Sequence, residues 1–126
     1  MERRRRDFSP EEFGTLVEQA LADLPLPYAR LAQEVSVVVE EEPPPEVLED
    51  LELESDDDLL GLYQGLSLAQ ESFFQTGGQQ PPRIAIYRGP ILRLCDTAED
   101  IRREVRDTVV HELGHHVGLG DDEMPY

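Results

Sequence analysis

The sequence predicts a single mixed domain, with a helix near each end and short strands between them. Three observations carry this reading. Ser9-Pro10-Glu11-Glu12-Phe13 has the form of a capped helix start. Val35 to Glu40 is rich in β-branched residues, and Arg83 to Arg88 alternates polar and apolar ones, as strands do. From Asp96 onward, Ile101, Val105, Val109, Leu113 and Val117 step at intervals of four, which draws an apolar stripe along a helix. At 126 residues the chain suffices for one core and is too short for two, so a single domain over 1–126 is expected.

Taken in order, Arg3 to Arg6 beside Glu2 and Asp7 read as a flexible basic tail over 1–7. The first helix runs from Pro10 to Asp23. Ser9 is its N-cap, Glu12 closes a capping box, and Phe8 and Phe13 occupy the staple positions. Phe13, Leu16, Val17, Ala20, Leu21 and Leu24 supply its apolar face, and Pro25 and Pro27 end it. After the strand at Val35–Glu40 comes an acidic, proline-rich stretch over 41–58. Eleven acidic residues lie from Glu40 to Asp58, and no arginine occurs from Leu31 to Pro82. Such a belt could draw cationic substrates or hold calcium, but its spacing lacks the sixth-position glycine of an EF-hand loop. A solvated loop with one short helix near Pro45 to Leu51 is the expectation. Leu59 to Gly65 reads as a strand, and Gln75 to Pro82 as a turn-rich connection to the strand at Arg83–Arg88. Pro90 to Cys95 fits a short helix or an extended run equally well. The last helix starts near Asp96 or Thr97, with Glu99 or Asp100 three residues on, and stops at Gly118 and Gly120.

Composition excludes several functions. A formal charge of −17 opposes general affinity for nucleic acid or anionic membrane, both polyanions. No apolar stretch follows the opening residues as a signal peptide requires, and none approaches a membrane span. The lone cysteine, Cys95, makes no internal disulfide and fits a reducing cytosol, so a cytoplasmic location and a small core side chain are expected. Hydrophobic residues make up 39%, which suits a modest core. Lysine, asparagine and tryptophan are absent; heat adaptation and codon bias explain this equally.

All three histidines fall between positions 111 and 116, inside His111-Glu112-Leu113-Gly114-His115-His116-Val117-Gly118-Leu119-Gly120-Asp121. The pattern is H-E-x-x-H, continued by x-x-G-x-x-D. At about 100° per residue, His111 and His115 lie roughly 40° apart on one helix face, so both rings can reach one ion. Zinc accepts two neutral imidazoles and a carboxylate. Glu112, about 60° from His115, is placed to accept a proton from a water at the ion and not to serve as a third protein ligand. That ligand comes from beyond the helix. Asp121, three residues past Gly118, is favoured on spacing over Asp122 and Glu123. His116 points about 100° away from His115, towards Val105 and Val109, and reads as a buried, hydrogen-bonded prop. Met124 could floor the pocket or simply pack.

The run at 111–124 resembles the minimal zincin-like metallopeptidases, a family of small bacterial proteins. VSVVVEEEP at 35–43, LLGLYQG at 59–65 and PRIAIYR at 82–88 support the resemblance, which covers most of the chain. It implies an α+β fold: a short mixed β-sheet packed on a backing helix and a C-terminal metal-bearing helix. It also implies metal ligands at His111, His115 and Asp121, with Glu112 as general base. The sequence ends five residues after Asp121, so the C-terminal subdomain of larger zincin proteases is not expected.

The chemistry that follows is hydrolysis of a peptide or protein substrate at one Zn2+ ion, with Glu112 moving the proton from water to the leaving amine. Substrate would lie extended along a sheet edge, offered by Leu59–Gly65 or by Arg83–Arg88. Tyr63, Tyr87, Tyr126 and His116 are candidate oxyanion donors. Two rivals stand beside this: a non-enzymatic metal-binding or interaction module, and a metal-dependent ribonuclease, which the charge opposes.

Overall fold

The capped start at Ser9 is built as a reciprocal pair. The Ser9 hydroxyl accepts the Glu12 N–H at 3.1 Å, and a Glu12 carboxylate oxygen accepts the Ser9 N–H at 3.0 Å. Phe8 and Phe13, the two staple residues, are both buried. The resulting helix α1 (Pro10–Ala22) is capped by Asp23 and buries Phe13, Leu16, Val17 and Ala20. The computed structural model describes residues 8–65 and 81–118. A short helix, α2 (Tyr28–Leu31), and one 3-10 turn (Ala32–Glu34) lead into strand β1 (Ser36–Glu40).

The acidic stretch carries α3 (Pro45–Asp50), where one short helix is expected, and a 3-10 turn at Asp56–Asp58. Strand β2 (Gly61–Gln64) follows, then β3 (Arg83–Tyr87) and α4 (Arg88–Leu94). The ambiguity at Pro90–Cys95 resolves as helix, which buries Pro90, Ile91 and Leu92. Two arginines of α4 anchor the acidic stretch, which is therefore less free than a solvated loop. Arg88 pairs with Glu41, and Arg93 bridges Glu42 and Asp57. The Arg93 guanidinium holds the Glu42 carboxyl below its usual range.

The sheet order is β1-β3-β2. β1 runs parallel to β3, from Ser36 opposite Arg83 to Glu40 opposite Tyr87. β2 runs antiparallel to β3, from Gly61 opposite Ile86 to Gln64 opposite Arg83. This corrects one expectation. The strand at Arg83–Arg88 offers no substrate edge, because ladders occupy it on both sides. Ile84, Ala85, Ile86 and Tyr87 are all buried, so both faces of β3 are covered despite its alternating sequence.

The terminal helix α5 (Ala98–His116) begins at Thr97, whose hydroxyl accepts the Asp100 N–H at 3.1 Å. Ile101, Val105, Val109 and Leu113 are fully buried as the stripe predicts, joined by Val110. The helix packs on α1 and on strands β2 and β3. It stops where Gly118, at φ 93, takes a left-handed conformation and donates its N–H to the His115 carbonyl at 3.0 Å. The whole is an α+β arrangement, a three-stranded mixed sheet with a backing helix and a long terminal helix. No helix among the described residues is long and apolar enough to cross a membrane.

Candidate metal centre

Helix α5 lies against β2, and residue size at one point permits it. A Cβ on Gly61 would stand 2.5 Å from Thr108 Cγ2 and 3.0 Å from the Ala85 carbonyl, so only glycine fits there. One turn beyond Thr108, a Glu112 carboxylate oxygen accepts the main-chain N–H of Tyr63 at 2.7 Å. A further turn on, His116 Nδ1 meets the Tyr63 hydroxyl at 3.0 Å, while its Nε2 meets a Glu34 carboxylate oxygen at 3.0 Å. Thr108, Glu112 and His116 thus form one stripe, at i, i+4 and i+8, that faces the strand. All three are buried, His116 to 1% exposure.

His111 and His115 occupy the neighbouring face and are half-buried. Their ring centroids stand 5.1 Å apart, edge to face. Each of His111, Glu112 and His115 offers a ligand atom, and these atoms lie within 4.8 Å of one another. The carboxylate therefore sits nearer the imidazoles than a bare helical wheel implies. Two imidazole nitrogens so close together can share a borderline-soft divalent ion, with the Glu112 carboxylate beside it. The residues present fit such an ion.

His111 and Glu112 also line a cleft of about 420 Å³ that lies between 58–61 and α5. Asp58, Glu104 and Asp107 give its walls an acidic character. Burial, with the Asp107 charge beside it, pushes the Glu104 carboxyl above its usual range.

Of the predicted site residues, His111, Glu112 and His115 are brought together. Asp121 lies outside the described residues, as do Gly120, Asp122, Glu123, Met124 and Tyr126. His116 is the buried prop read from the sequence, and this corrects its place among the oxyanion donors: both ring nitrogens are engaged within the fold. Tyr87 is fully buried, its hydroxyl has no hydrogen-bond partner among the described residues, and burial raises its pKa. Glu34 has a role that the sequence does not announce. Its partner is 82 residues away, and no local pattern connects them.

The family model described as "Zincin-like metallopeptidase" matches residues 32–126. The chain belongs to the zincin-like metallopeptidase family. At family level this suggests a metallopeptidase, and the matched region contains β1, β2, β3 and helix α5. Among curated proteins none matches the sequence. Among solved structures, a conserved hypothetical protein from Thermus thermophilus is similar. It shares 25% sequence identity at a TM-score of 0.51, with 86% of this chain and 94% of that one covered. The α+β arrangement is that of a zincin-like fold, and helix α5 carries the cluster of His111, Glu112 and His115.

Proposed function

We propose that this protein is a zinc-dependent metallopeptidase, with His111, His115 and Asp121 as the residues that hold one zinc ion and Glu112 as general base. The observation that carries the reading is the convergence of His111, Glu112 and His115 within 4.8 Å, the first two of which also line a cleft beside β2. Zinc in such a site supplies Lewis-acid polarisation of a carbonyl and acidifies water to a pKa near roughly 7. The remaining work falls to the chain. Glu112 takes the proton of the attacking water and delivers it to the departing amine. The Tyr63 N–H fixes the direction of its carboxylate.

Substrate binding follows from the ladder. The Leu60 carbonyl accepts the Tyr87 N–H, so Leu60, Leu62 and Gln64 face β3. Gly61 and Tyr63 then direct their main-chain groups the other way, onto the side of β2 that the strand order leaves at the sheet edge. An extended peptide adds to that edge beside Gly61, since the Tyr63 N–H is already given to Glu112. The acidic cleft walls favour a peptide over RNA, because Asp58, Glu104 and Asp107 would repel a phosphodiester.

Glu112→Gln tests the reading. Zinc binding is retained while cleavage of a mixed peptide library falls by roughly 10²–10⁴, the usual contribution of a positioned base. Undiminished cleavage by that variant contradicts the role of Glu112. Stoichiometric zinc without cleavage by the parent protein supports a non-enzymatic metal-binding module instead.

A further inference from the structure

We propose that Glu34, His116 and Tyr63 form a positioning unit that holds the Glu112 carboxylate in its working orientation. The inference rests on the peptidase reading given above. It begins with His116, whose imidazole is fully enclosed. A buried imidazole needs partners for both nitrogens, and any two polar groups would satisfy that need. Here one partner is the side chain of the residue whose main chain grips Glu112. Tyr63 contacts α5 twice, through its N–H at Glu112 and through its hydroxyl at His116, one helical turn further on. Two such contacts fix both the slide and the rotation of β2 against the helix.

The three side chains are linked end to end: a Glu34 carboxylate oxygen stands 3.0 Å from His116 Nε2, and His116 Nδ1 stands 3.0 Å from the Tyr63 hydroxyl. Each member therefore holds the next: Glu34 orients the imidazole, the imidazole orients the phenol, and the phenol holds the strand. The strand's edge-facing N–H is donated to Glu112. A base whose carboxylate turned freely would face the cleft only part of the time, and misplacement by an ångström is costly in rate. The three residues come from a 3-10 turn, β2 and α5, so the unit ties separate elements to one carboxylate.

The test uses the full chain, zinc-loaded and labelled with 15N. The exchange rate of the residue-63 amide is compared with those of the β3 amides in Tyr63→Phe, His116→Ala, Glu34→Leu and Glu34→Gln. Glu112→Ala deletes the acceptor and marks the unpinned rate. Tyr63→Phe, which removes one oxygen and keeps the ring, stands in where His116→Ala does not fold. The proposal expects Tyr63→Phe and Glu34→Leu to accelerate residue-63 exchange roughly tenfold or more, towards the Glu112→Ala rate, while β3 amides and zinc content hold. Glu34→Gln, which keeps an acceptor, should restore the parent rate. On a peptide that the parent cleaves, kcat falls in Tyr63→Phe and KM holds. Residue-63 exchange that matches the parent, or β3 amides that accelerate in step with it, overturns the proposal, as does an unchanged kcat. The amide readout needs no turnover, so it is decided separately from the peptidase reading, which Glu112→Gln decides.

Discussion

At position 61 a methyl group would stand 2.5 Å from a threonine methyl and 3.0 Å from a carbonyl oxygen, so helix and strand would have to move apart to admit it. Gly61→Ala should therefore destabilise the protein by about 1–3 kcal/mol, the usual cost of overpacking, read as a lowered denaturant midpoint. A wild-type midpoint in that variant would show that helix and strand are further apart than described. Cys95 is the second residue with a measurable consequence. Burial pushes its thiol from 9.0 up to about 12. The folded chain thus keeps a proton that the unfolded chain releases over that window. Because the folded state binds more protons there, stability falls as pH rises from 9.0 towards about 12. The stability difference between the parent and Cys95→Ala should narrow over the same range in denaturant titrations; a difference independent of pH would contradict the burial. Residues such as His111, Glu112 and His115 were legible because helical spacing is local and needs no knowledge of the fold. Glu34 and Gly61 were not, since each owes its role to a partner distant in sequence.

Elements show a similar division. Helix α1 was readable almost to the residue because caps are written in adjacent positions: Ser9 and Glu12 exchange bonds three residues apart. Ser9→Ala should cost about 1 kcal/mol. The loss on adding Glu12→Ala should be less than additive, since the two bonds form one box. Thermal or chemical denaturation of the two single variants and the double variant measures this, and strict additivity would argue that the bonds act independently. Helix α5 was equally plain from its apolar stripe and Thr97 cap. Strand order was another matter. Arg83–Arg88 alternates as a half-exposed strand does, yet β3 is central and covered on both faces. Alternation reports side chains, whereas centrality depends on which other strands arrive, and these lie far away in sequence. The same holds for the acidic stretch. Its composition indicates solvation, and only the turn of α4 brings Arg88 and Arg93 against Glu41, Glu42 and Asp57.

For the molecule as a whole, the fold exists to set one helix against one outer strand. The core of α1, β3 and α5 fixes the helix, glycine at 61 lets the strand approach, and the Glu112–Tyr63 bond joins them beside an acidic cleft. The excess of negative charge matters at this scale too, since −17 opposes binding of polyanions and does not oppose binding of peptides. What the molecule does depends on whether His111 and His115 share an ion. Metal content of the purified protein, measured after zinc loading and desalting for the parent, Glu112→Gln and His115→Ala, tests that most directly. One zinc per chain in the first two and none in His115→Ala is the expected result. Zinc absent from the parent, or retained in full by His115→Ala, would contradict it.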